Sequence, residues 1–109
     1  MCGMSSDVEF VQYVCEQIVG AGAVRYRKMF GDYMVYVNDR PVLLVCDNSV
    51  YVKMLPCICE RMKGMPTGVP YPGAREHFLL DIDDAPFSRE IAALAASVTE
   101  IPKPHRRRK

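Results

Sequence analysis

The chain has 109 residues, half of them hydrophobic and a quarter charged, with a formal net charge of +1. That length holds one domain and leaves no room for a second core. The composition excludes the disordered and fibrous classes, and no apolar run approaches the roughly 18 residues a membrane-spanning helix needs.

The average charge hides a split. Residues 103–109 carry Lys103, Arg106, Arg107, Arg108 and Lys109, which leaves residues 1–102 with nine basic against thirteen acidic side chains, a net of −4. The expectation is a mildly acidic domain over 1–102 and a basic, disordered tail over 103–109. A domain this small leaves homodimerisation open.

The first residues, Met1-Cys2-Gly3-Met4-Ser5-Ser6-Asp7, lack the cationic and apolar regions of a signal peptide, and Cys2 replaces the glycine that myristoylation requires. Five cysteines, Cys2, Cys15, Cys46, Cys57 and Cys59, with no secretion signal read as reduced thiols and a cytoplasmic address.

Ser6-Asp7-Val8-Glu9 forms a capping box, and Val11, Val14, Cys15 and Ile18 follow at helical spacing. Gly20 and Gly22 stop the chain. This predicts a helix over 7–19. Val24-Arg25-Tyr26-Arg27-Lys28-Met29 alternates as a strand does, Gly31-Asp32 breaks it, and Tyr33–Val37 is β-branched and aromatic. Asn38-Asp39 and Asp47-Asn48 are turn signals on either side of Val42–Cys46, an apolar run expected to be buried on both faces. Val50–Lys53 adds a further strand. Pro56 opens a short helix near 57–63.

Residues 64–73 hold three glycines and three prolines, so they form a long loop that cannot be helix or central strand. His77–Ile82 returns to strand character. Asp83 or Asp84 caps a final helix, Pro86 sits in its first turn, and Ile91, Leu94, Ala95 and Val98 form its stripe. The predicted class is α+β: an antiparallel meander sheet flanked by an N-terminal and a C-terminal helix.

Few constellations carry chemistry. Cysteine catalysis needs a nearby base, and His77 and His105 are the only histidines. Cys57-Ile58-Cys59 is not a zinc-ribbon pair, so no metal or other cofactor is expected. Asp81, Asp83 and Asp84 sit where helix capping accounts for them. No phosphate-cradling glycine pattern appears. Arg25, Arg27 and Lys28 with Tyr26 and Tyr33 could grip a partner or single-stranded nucleic acid, and Arg106, Arg107, Arg108 and Lys109 could contact phosphates weakly.

Arg27-Lys28-Met29-Phe30-Gly31-Asp32-Tyr33 resembles the R-K-M-F-G-x-Y signature of the N-terminal domain of the TfoX/Sxy competence-regulator family. The surroundings are similar in order: a capped helix before the signature, then a hairpin, Asp47–Lys53 and a loop with Tyr71-Pro72. The likeness covers roughly residues 5–100 and includes Tyr51 and Lys53. It implies a regulatory role without catalysis, since full-length members act as transcriptional coactivators of competence. Their second, helical domain has no counterpart in these 109 residues. The expectation is a stand-alone interaction domain that binds a transcription activator or a polymerase component. Its exposed patch would be Arg25, Arg27, Lys28 and Tyr33. A nucleic-acid-binding module is the alternative, and a thiol- or metal-dependent enzyme is a remoter one.

Overall fold

Two-residue turns set the register of the sheet. Asn38, Asp39, Asp47 and Asn48 all take positive φ, between 52° and 67°. Asparagine and aspartate enter this left-handed region more readily than other non-glycine residues, and two such residues in succession give the turn whose twist matches paired strands. The computed structural model describes residues 8–29 and 32–100. In it the two turns join β2 (Asp32–Val37), β3 (Arg40–Cys46) and β4 (Ser49–Val52), with β1 (Val24–Met29) preceding them. A register shift between Val35 and Tyr36 marks an irregularity in the β2–β3 pair.

Helix α1 (Val8–Gln17) buries Val11 and Val14. A single 3-10 turn, Val19–Ala21, follows it. Gly22 then adopts φ 148°, where a Cβ would lie 2.7 Å from the Asn38 amide nitrogen. Only glycine allows this approach, and it lets Asn38 Oδ1 accept the Ala23 N–H at 2.9 Å. The helix exit is thereby tied to the β2–β3 turn. The expected capping residues Ser6 and Asp7 lie outside the described residues.

After β4, helix α2 (Pro56–Arg61) begins with proline in its first turn. β5 (Thr67–Gly68), β6 (His77–Leu79) and α3 (Ala85–Val98) complete the described elements. The six strands run in the order β1-β2-β3-β4-β6-β5. Every neighbouring pair is antiparallel. The fold is α+β, as the sequence predicts.

Alternation along the strands decides where the core sits. Val35, Val37, Leu43, Val45, Val50, Val52 and Phe78 are all buried in one cluster with Val11 and Val14 of α1 and Ile91, Ala92 and Ala95 of α3. Burying one such aliphatic side chain contributes roughly 1.5–3 kcal/mol. Ser88, the buried polar residue of α3, donates its hydroxyl to the Asp81 carbonyl at 3.0 Å. Two further bonds dock α1 on the same junction: Gln17 Nε2 donates to the Ile82 carbonyl at 2.9 Å, and the Tyr13 hydroxyl donates to Asp83. Arg61 and Glu90 pair between α2 and α3.

Several expectations change. β6 stops at Leu79 instead of Ile82. The 64–73 loop contains β5, a two-residue edge strand. Val98 is exposed, and α3 instead buries Ser88, Ile91, Ala92, Ala95 and Ala96. Within Val42–Cys46 of β3 four residues are buried as expected, and only Leu44 is half-buried, on the side away from the core cluster.

Asp84 caps α3, its carboxylate accepting the Phe87 N–H at 3.3 Å. Asp84→Ala is expected to cost about 1 kcal/mol, or roughly 4–8 °C in Tm. Ile91→Ala, in the fully buried core, is expected to cost about 2–5 kcal/mol by urea unfolding.

Candidate functional site

The sheet face opposite the core cluster is where a candidate site lies. Residues directly across an antiparallel pair share a face. Leu44 pairs with Met34 on one side and Tyr51 on the other. Tyr51 in turn pairs with Leu79. These are the alternates of the core residues, so they point away from α1 and α3.

On this open face lies a groove of about 820 Å³. Met34, Pro41, Leu44 and Met54 supply aliphatic and thioether surface, and Tyr51 stands against His77. Tyr71, Arg75 and Glu76, from the stretch between β5 and β6, form one wall. The stretch crosses the face because β6 pairs with β4 and β5 lies outside β6. Of the eight large hydrophobic side chains left exposed among the described residues, Met54 and Tyr71 line the groove, and Met65 and Val69 flank it in sequence on the same loop. Such clustering of exposed apolar surface marks interaction sites far more often than scattered single residues do.

The polar groups at the groove are few and differently engaged. Glu76 accepts the Thr67 hydroxyl. His77 Nδ1 lies 2.7 Å from the Arg75 carbonyl, which can only accept, so Nδ1 carries the proton of this contact. Lys53 and Arg75 are exposed, with no ion-pair partner among the described residues.

The expected patch is divided by the sheet. Arg25 and Arg27 pair with Tyr36 and Met34 and so lie on the open face. Arg25 Nε is 3.1 Å from Asp39 Oδ1, and its guanidinium covers the Tyr36 ring at 4.3 Å. Lys28 pairs with Tyr33 on the other, helix-bearing side. Tyr33 is 7% exposed, a core residue packed edge-on against Tyr26 at 5.7 Å. It does not belong to an exposed surface, because the pairing turns its ring under the helices. Arg106, Arg107, Arg108 and Lys109 lie outside the described residues, as do Phe30 and Gly31. The groove itself escaped the sequence reading, which had only the length and the glycine and proline content of the 64–73 loop as a signal.

The thiols of the core are held protonated. Burial pushes Cys46 up to about 12, with a hydrogen bond to Asp32 adding to it, and burial pushes Cys15 up to about 11. Neither suits a nucleophile, which works as the thiolate. Among the described residues no three His, Cys, Asp or Glu side chains gather closely enough to hold a metal. The three junction carboxylates have structural partners: Asp81 accepts the Asp83 N–H, Asp83 takes Tyr13, and Asp84 caps α3.

Two outcomes follow for the thiols. Timed iodoacetamide labelling at pH 8, read by mass spectrometry, is expected to modify the half-buried Cys57 and Cys59 well before the buried Cys46. The raised Cys46 and Cys15 values also favour the folded state while both groups are neutral. That contribution is full below about pH 8.5, the unfolded thiol range, and is lost as pH rises toward 11–12, so urea midpoints are expected to fall over that window.

No helix among the described residues is long and apolar enough to cross a membrane. No protein-family model matches the chain. The chain is 30% identical over 105 residues to an uncharacterized 12.7 kDa protein in the trpE 5′ region of Spirochaeta aurantia, covering 94% of this chain and 91% of that one. With that identity over nearly the whole of both chains, it belongs to the same family as the Spirochaeta aurantia protein.

Proposed function

We propose that this chain is a non-enzymatic regulatory domain that binds a protein partner through the open face of its sheet. The observation that carries the reading is one-sided covering. Helices α1 and α3 pack on a single face, and the other face holds an apolar groove of about 820 Å³ walled by a Pro/Gly-rich loop. A domain with raised buried thiols and no clustered metal ligands among its described residues offers a binding surface more readily than a catalytic centre.

The resemblance to the TfoX/Sxy N-terminal domain supports a regulatory setting in the cytoplasm, with a transcription activator or polymerase component as partner. Of the signature residues, Lys28 of β1 pairs with Tyr33 of β2 and Met29 with Asp32. In this reading the signature builds the hairpin, and the surface that meets the partner is the adjoining open face with Arg25 and Arg27 at its β1 end.

The test is affinity recovery from nuclease-treated native lysate, with the intact protein and with Leu44→Asp. Leu44 is half-buried on the groove floor, so the charge spoils the surface while leaving the core cluster untouched. The intact protein is expected to retain a defined transcription component, and Leu44→Asp to lose it by about tenfold or more. Equal retention by a Leu44→Asp protein of unchanged circular dichroism would show that the open face is not the interface. Recovery of nucleic acid alone would replace the protein-partner reading with direct DNA or RNA binding.

A further inference from the structure

The chemistry of the groove specifies its occupant more narrowly than the interaction reading does. Its floor is built from Met34, Leu44 and Met54. These side chains are aliphatic or thioether, adaptable in shape, and offer no flat ring on which a base could stack. Two of the aromatic rings nearby are occupied, and Tyr71 in the wall is exposed. Tyr36 lies under the Arg25 guanidinium, and Tyr51 stands edge-on to His77 with their planes at 90°.

The charges at the groove have one sign left over. Glu76 accepts the Thr67 hydroxyl and keeps its negative charge, so Lys53 and Arg75 leave the groove with an excess of one cation. Lys53 and Arg75 both line the groove, and among the described residues neither has a carboxylate partner. An apolar floor with two unpaired cations complements a segment that presents apolar side chains toward the sheet and carboxylates toward the rim.

We propose that the groove receives a short acidic segment of a partner protein. Its apolar side chains rest on Met34, Leu44 and Met54, and its carboxylates meet Lys53 and Arg75. This rests on the interaction-domain reading and goes beyond it by fixing the partner's chemistry. The cations set the sign of the ligand and speed encounter, and the floor supplies the apolar contact area.

The test uses the full chain and fluorescence anisotropy with three labelled probes. These are a short peptide alternating aspartate with leucine, a lysine–leucine peptide of equal length, and a short oligothymidylate. The acidic peptide is expected to bind in a salt-sensitive way, and the other two at least about tenfold more weakly. Lys53→Glu combined with Arg75→Glu is expected to weaken the acidic peptide by about tenfold or more and to improve the lysine–leucine peptide. Both substitutions are on exposed residues, so an unchanged thermal melt is expected and confirms that folding is intact. Equal binding of the two peptides, tighter binding of oligothymidylate, or an acidic peptide indifferent to the double substitution would overturn the proposal. If the acidic peptide fails to bind while Leu44→Asp still costs the chain its cellular partner, the assigned occupant is wrong and the interaction reading stands.

Discussion

The alternation of a β-strand places half of its side chains on each face of the sheet, and the helices among the described residues cover one face only. α1, with ten residues, and the fourteen-residue α3 both pack against Val35, Val37, Leu43, Val45 and their neighbours. Once those alternates are committed to the core, Met34, Leu44, Tyr51 and Leu79 have no choice of direction. A one-residue slip in either turn would exchange the two sets. The strict left-handed geometry at Asn38-Asp39 and Asp47-Asn48 is therefore what decides which side chains become core and which become groove. The docking of Asn38 on the Ala23 N–H extends the same control back to the exit of α1.

Local signals made much of this fold legible. The two turns, the strands beside them, the proline-led α2 and the aspartate-capped α3 each depend on a few neighbouring residues, and each is where the sequence puts it. The exceptions share a physical cause. β5 is two residues long and exists only because β6 offers it an edge. Val98 continues a helical stripe beyond the surface that α3 has to cover. Leu44 reads as core from its apolar neighbours, yet nothing packs over its face of the sheet from α1 or α3.

The candidate site was harder to read, for a related reason. Alternation alone separates Lys28 from Arg25 and Arg27, since Val24 and Tyr26 are the residues of β1 that pack inward. Tyr33 could not be placed without the register, because Tyr33-Met34-Val35-Tyr36-Val37 is apolar at every position. Once Tyr33 is paired with Lys28, its ring must lie on the helix side. The groove needed more still. It is assembled from β2, β3, β4 and the stretch before β6, and only the long-range pairing of β4 with β6 brings Tyr71 and Arg75 over Leu44.

The treatment of the sheet's edges bears on the proposal that the open face, and not an edge, is the surface that associates. An uncovered edge strand is a template for pairing with another chain, and proteins blunt it with charge or by keeping it short. Here β1 carries Arg25, Arg27 and Lys28, with cations on both of its faces, and β5 at the opposite edge is only two residues long. Two copies of β1 brought side by side would set like charges against each other, so extension of the sheet through that edge is disfavoured. No comparable guard stands on the face between them. Met34, Leu44 and Met54 are left half-buried or exposed, with cations at the rim instead of among them. Charge on β1 disfavours strand pairing at that edge, and in the proposed reading the same sign of charge at the groove admits an anionic partner. In that reading, one distribution of cations both restricts how this domain associates and selects what it associates with.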